Sequence, residues 1–231
     1  MNVQGYQKLT LLDFPGKVAC TVFCGGCNLR CPFCHNATLV KEPHYYPNAQ
    51  EEVLQYLSQR RGILDGVCVT GGEPLLQKDL ADFFRKVKAM GYQTKLDTNG
   101  ADPVRLEEVL SAGVVDYVAM DVKASFDSYA RVTGVDIPRE RYQKSIDLIR
   151  SSGVDHEFRT TVVKGIHSDE DFYQIASLLA GEKKYFLQAF VDSGNLLENK
   201  GFAPFDSESM HRFLGIVRTK IPAASLRGQE E

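Results

Sequence analysis

Five of the six cysteines fall between positions 20 and 34, and usage that uneven points to chemistry rather than to disulfide stapling. The run Cys27-Asn28-Leu29-Arg30-Cys31-Pro32-Phe33-Cys34 spaces its thiols as C-x3-C-x2-C. Three thiolates on one loop can wrap one face of an iron-sulfur cubane and leave a fourth iron without a protein ligand. The chemistry expected is that of an open coordination site rather than a closed electron-transfer centre. Zinc is the alternative occupant, with His35 or His44 as a fourth ligand. Cys20, Cys24 and Cys27 repeat the same spacing. Cys20 lies inside an apolar strand run and reads as packing. Cys24 stands beside Gly25-Gly26, near enough to compete for the site or be oxidised, and Cys68 reads as core.

Four further groups fall where strands are expected to end. In Thr70-Gly71-Gly72-Glu73-Pro74 the two glycines allow close backbone approach to a ligand, and Glu73 can accept a hydrogen bond from an ammonium. Asp97-Thr98-Asn99-Gly100 and Met120-Asp121-Val122-Lys123 add carboxylates, a hydroxyl and an ammonium. Each of the three also reads as ordinary turn chemistry. Arg159 sits in Phe158-Arg159-Thr160-Thr161-Val162-Val163, where a charge amid β-branched residues is poorly explained as core and suits a carboxylate partner.

These groups need a scaffold that brings strand ends to one rim. Apolar or β-branched runs predict strands over residues 17–23, 62–70, 93–97, 114–121, 155–163 and 184–191. Helical spacing covers 48–60, 76–90, 103–112, 139–151, 168–180 and a C-terminal helix at about 206–220. Pro103 after Asp102, and Ser168 before Asp169 and Glu170, are helix start signals. Six strands alternating with helices imply right-handed parallel crossovers, in an open doubly wound sheet or a full or partial barrel, with ligands at the carboxyl ends of the strands. Residues 28–47 form the longest expected non-helical connection and carry His35 and His44; a loop that long is usually functional.

The chain has 231 residues, 43% of them hydrophobic and 25% charged, with a formal net charge of −3. One domain spanning 1–231 is expected, with the cluster loop at 24–47 and no internal linker. The composition argues against a disordered chain, a coiled coil or a polyanion-binding tail, so no nucleic-acid partner is expected. No stretch approaches the roughly 18 apolar residues of a membrane span, and Lys8 and Asp13 interrupt the N-terminal apolar run. A cytoplasmic, reducing location is the expectation, without membrane or lipid anchor.

The cysteine spacing, with Phe33 as the aromatic before Cys34, resembles the radical S-adenosylmethionine (SAM) superfamily. That resemblance implies an α/β fold, a partial (β/α)6 TIM-like barrel of the radical SAM type. Cys27, Cys31 and Cys34 would hold a [4Fe-4S] cluster, with SAM chelating the fourth iron through its amino and carboxylate groups. Gly71, Gly72 and Glu73 match the GGE motif that binds the SAM amino group. Asp97-Thr98-Asn99-Gly100 and Asp121-Val122-Lys123 resemble the DTNG and D-x-K motifs of the glycyl-radical enzyme activases. Lys123 would face the SAM carboxylate, Asp97 and Asp121 would anchor its polar end or a monovalent cation, and Arg159 would add a carboxylate contact. Leu12-Asp13-Phe14-Pro15-Gly16-Lys17, Cys34-His35-Asn36 and Leu187-Gln188-Ala189-Phe190 look like the activating proteins of anaerobic ribonucleoside-triphosphate reductase.

The resemblance implies reductive cleavage of SAM to methionine and a 5′-deoxyadenosyl radical, which takes a hydrogen atom from a glycine of a partner protein. The cofactors would carry the hard chemistry and the protein would supply ligands, orientation and exclusion of water. No acid-base pair with persuasive spacing appears. Residues 70–73 lack the spacing of a dinucleotide-binding loop, so the electron would come from reduced flavodoxin or ferredoxin. A radical SAM enzyme acting on a small molecule, and a non-catalytic zinc or iron-sulfur binding protein, are the competing readings.

Overall fold

Strands and helices alternate almost from end to end of the chain. The computed structural model describes residues 1–198 and 200–228. Its strands are β1 (Val3–Thr10), β2 (Ala19–Cys24), β3 (Gly66–Gly71), β4 (Gln93–Thr98), β5 (Tyr117–Asp121), β6 (Asp155–Val162), β7 (Tyr185–Ala189) and β8 (Ser225–Arg227). The helices are α1 (Ala37–Lys41), α2 (Ala49–Ser58), α3 (Leu80–Ala89), α4 (Pro103–Ser111), α5 (Tyr129–Thr133), α6 (Arg139–Ser151), α7 (Asp169–Leu178) and α8 (Ser207–Arg218), with a 3-10 turn at Pro74–Leu76. The hydrogen-bonded order of the strands follows the chain order, β1 to β8. All six expected strands form. β1, β8 and the short helices α1 and α5 are additional, and α1 interrupts the connection expected to be non-helical.

Contacts divide the chain into two compact units. The first contains Met1–Asn28, Thr38–Ala119 and Glu140–Asp155. In it β1 pairs antiparallel with β2, Val3 opposite Cys24, while β2, β3 and β4 run parallel, with Val22 opposite Val69 and Val69 opposite Leu96. Val22, Val67, Val69 and Leu96 are fully buried, as strands covered on both faces require. Helix α3 turns Leu80, Phe83, Phe84 and Val87 inward and leaves its charges outside. Helix α4 starts where the sequence signals: the Asp102 side chain accepts from the Arg105 backbone N–H, and Pro103 occupies the first turn.

The second unit contains Leu29–Ala37, Met120–Arg139 and the chain from His156 onward. Here β6, β7 and β8 run parallel, Phe158 opposite Tyr185 and Gln188 opposite Arg227. Helix α7 begins with a reciprocal capping box between Ser168 and Asp171. Phe172 of α7 meets Phe213 of α8 at a ring-centroid distance of 4.4 Å, a contact that fixes the two helices together beyond simple burial.

Candidate functional site

Two loop starts interlock in the first unit. Strand β2 ends at Cys24 and continues into Gly25-Gly26-Cys27; β3 ends at Gly71 and continues into Gly72-Glu73. The Gly72 N–H donates to the Cys24 carbonyl at 2.8 Å, and the Glu73 N–H donates to the Gly26 carbonyl at 2.8 Å. A Cβ on Gly72 would stand 1.9 Å from the Gly26 oxygen, and one on Gly71 2.6 Å from the Cys24 nitrogen. Gly71 also has a φ of +109°, where L side chains are strained. The close approach that these glycines permit is therefore made by the backbone leading to Cys27.

Glu73 is 1% exposed. Its carboxylate accepts from Thr98 Oγ1 at 2.8 Å, from the Asn99 backbone N–H at 2.8 Å and from the Leu75 N–H at 3.0 Å. Asn99 in turn donates through Nδ2 to Asn28 Oδ1 at 2.8 Å and lies 3.8 Å from Cys27 Sγ. The structure thus brings Cys27, Gly71, Gly72, Glu73, Thr98 and Asn99 into one network. Asp97 lies on the opposite face of β4 from Thr98. There it forms a buried ion pair with Lys95 and accepts from Cys68 Sγ at 3.7 Å. The sequence signal for Lys95 is its place two residues before Asp97 on one strand, which puts both on the same face.

The other candidate residues belong to the second unit. Cys31 and Phe33 are buried and Cys34 is half-buried. The Cys34 N–H closes a turn on the Cys31 carbonyl at 3.0 Å, and the loop is held by Leu197 N–H on the Cys34 carbonyl and Glu198 N–H on the Pro32 carbonyl. Asp121 pairs with Lys123 (Nζ to Oδ2, 2.8 Å) and with Arg159 (Nε to Oδ1, 2.5 Å). Burial alone would raise the Asp121 carboxyl, but the two cations hold it well below the usual carboxylate range. Burial likewise works against the Lys123 ammonium, and Asp121, followed by Cys31, more than compensates, holding it above the usual lysine range. The Lys123 carbonyl meets His167 Nε2 at 2.8 Å while His167 Nδ1 accepts from the Val163 N–H at 3.0 Å. His35 is pushed down by burial and then by Lys123.

The remaining thiols differ in kind. Cys20 and Cys24 are fully buried in β2, and burial pushes both up to about 12, which leaves little thiolate for ligation. Among the described residues no three His, Cys, Asp or Glu side chains converge on a single metal ion. A cubane takes each cysteine on a different iron, so its ligands stand farther apart than those of one ion. Among the described residues no helix is long and apolar enough to cross a membrane.

Comparison with known proteins gives a consistent set of relatives. The radical SAM superfamily profile matches residues 21–179. A protein of Methanocaldococcus jannaschii named as a glycyl-radical enzyme activating enzyme is 34% identical over 224 residues, covering 94% of this chain and 92% of its own. The pyruvate formate-lyase 1-activating enzyme of Escherichia coli K12 is 31% identical over 180 residues, covering 74% and 71%. Among solved structures, Streptococcus suis SuiB bound to its precursor peptide SuiA aligns with a TM-score of 0.70 at 16% identity, covering 90% of this chain and 48% of that one. At that identity the likeness concerns the fold alone.

Proposed function

The chain belongs to the radical SAM superfamily, in its glycyl-radical enzyme activase group, and from that membership we propose that it generates the glycyl radical of an anaerobic ribonucleoside-triphosphate reductase. Its fold is the α/β partial barrel of the radical SAM type, and its cofactors are a [4Fe-4S] cluster and SAM. When bound, these supply the reductive cleavage of SAM that leads to hydrogen abstraction from the partner's glycine. The observation that supports the SAM-site part of this reading is the interlock at Cys24, Gly26, Gly72 and Glu73, with Asn99 on Cys27; the choice of partner rests on the flanking segments at residues 12–17, 34–36 and 187–190.

In this proposal Cys27, Cys31 and Cys34 ligate the cluster. Their chemistry fits: three thiols lie on one loop, two of them half-buried, and thiolates are the ligands that iron-sulfur clusters take. Glu73, held by Thr98 and the Asn99 N–H, presents a fixed carboxylate to the SAM amino group. Lys123 and Arg159 supply positive charge to its carboxylate, each oriented by Asp121. Phe33 excludes water beside Cys34. The electron comes from reduced flavodoxin or ferredoxin. A partner of the pyruvate formate-lyase type is the second reading, favoured by the 31% identity to an activase so named.

Anaerobic reconstitution followed by dithionite and SAM should yield 5′-deoxyadenosine, and adding the reductase should give a glycyl-radical doublet in the electron paramagnetic resonance spectrum. A doublet only with a formate-lyase-type protein moves the assignment to that partner. Cleavage with neither protein favours a small-molecule substrate, and no cleavage after full cluster loading overturns the radical reading.

A further inference from the structure

Lys95 is 1% exposed. It sits on β4 two residues before Asp97, hence on the same face, and its ammonium pairs with the Asp97 carboxylate. Cys68, its register partner on β3, brings Sγ to 3.8 Å of Nζ, and the Tyr117 ring centroid lies 6.0 Å away. Removing an ammonium from water is costly, and a well-packed apolar side chain at the same place is often at least as stable. Leu96 beside it, fully buried, shows that the strand accommodates such residues on its other face. A buried pair here is therefore better explained by the charge it supplies than by packing.

Asp97 is the penultimate residue of β4, followed directly by the Thr98 and Asn99 that engage Glu73. A buried carboxylate in that position needs a positive neighbour to remain ionised. A monovalent cation from solution would meet that need, and so does an ammonium tethered two residues away, which cannot exchange with solvent. Resting on the SAM site proposed above, we propose that the Lys95 ammonium is the resident cation of that site: it neutralises and positions Asp97, so that SAM binds without any soluble monovalent cation. Lys95 acts through Asp97 and is a positioning residue.

The test measures SAM affinity of the cluster-loaded protein by equilibrium dialysis, in potassium chloride and in tetramethylammonium chloride at matched ionic strength. Wild-type affinity should agree between the two salts within about twofold. Lys95→Met should bind SAM about tenfold or more weakly in tetramethylammonium and recover in potassium; the melting temperature of its unloaded chain should likewise respond to potassium where that of wild type does not. Lys95→Met combined with Asp97→Asn, which removes both charges, should lose the potassium response. If Lys95→Met does not fold, Lys95→Gln takes its place in the same series. Wild-type binding that tightens in potassium overturns this inference alone, as does a Lys95 variant indifferent to potassium. Failure of the loaded wild type to bind SAM in either salt overturns the proposed function and this inference with it.

Discussion

Gly72→Ala tests the interlock between the GGE turn and the approach to the cluster loop. The added methyl would meet the Gly26 carbonyl oxygen at 1.9 Å and the Gly26 carbonyl carbon at 2.7 Å. Both are backbone atoms with no rotamer to change, so the contact must open from 1.9 to about 3.4 Å by moving main chain. That movement breaks the bond from the Glu73 N–H to the same oxygen and displaces the peptide that leads directly into Cys27. Overpacking costs about 1–3 kcal/mol and the lost bond about 1, so the expected destabilisation is about 2–4 kcal/mol. For a chain of this size that is a fall of about 4–16 °C in melting temperature.

The control is Gly215→Ala. Gly215 lies inside α8 with nothing within 4 Å of an added Cβ, so removing a helix glycine there should stabilise by about 0.5–1 kcal/mol. The assay pairs thermal unfolding by circular dichroism, under anaerobic conditions on unloaded protein, with iron and sulfide counts after reconstitution. Gly72→Ala should melt early and retain less iron than wild type. A variant that melts with wild type and loads a full cluster would show that residues 24–26 move freely against the turn, and the reasoning would be wrong.

Two further outcomes are expected. Cys31→Ala should lose the brown colour and the iron, while Cys20→Ala and Cys24→Ala keep both; the reverse pattern would move the site to the upstream triple. Burial holds the His167 imidazole below the ordinary histidine range, so below about pH 6.5 the unfolded chain binds a proton that the folded chain refuses. Stability should therefore fall as pH drops from there toward the folded-state value, by up to about 1.4 kcal/mol per pH unit. His167→Gln should remove that component, and identical slopes in denaturant titrations of the two proteins between about pH 7 and pH 5 would refute it.

The strand-helix alternation and the start signals at Asp102 and Ser168 were legible because they are local: each is a side chain acting on backbone three residues away. β1 was not legible, since Val-Gln-Gly-Tyr-Gln-Lys-Leu-Thr mixes polarity and becomes a strand only because β2 offers an edge. β8, α1 and α5, at three to five residues, are too short for any periodicity to register. The charged Arg159 stood out against its β-branched neighbours, and its pairing with Asp121 supplies the reason. Lys95 escaped notice because a lone lysine in a strand usually points to solvent, and only the tertiary structure shows it buried on Asp97. The glycines of the GGE turn were noticed for the approach of a ligand, whereas the approach of one backbone to another is invisible until both strands are placed.

The Asp121 carboxylate behaves as a fixed charge rather than as a proton carrier. Asp121 pairs with Lys123 and Asp97 with Lys95, in both cases across two residues of one chain segment, so little conformational freedom is lost beyond that already spent on the fold. Arg159 adds a second cation to Asp121, and the carboxyl stays ionised far into acid. A group held so far from neutrality is a poor general acid or base, because it cannot change protonation state near working pH. It is well suited to hold a lysine and an arginine in place for an anionic ligand group. That division of labour fits a site whose bond-breaking chemistry comes from its cofactors and whose protein charges set where the substrate lies.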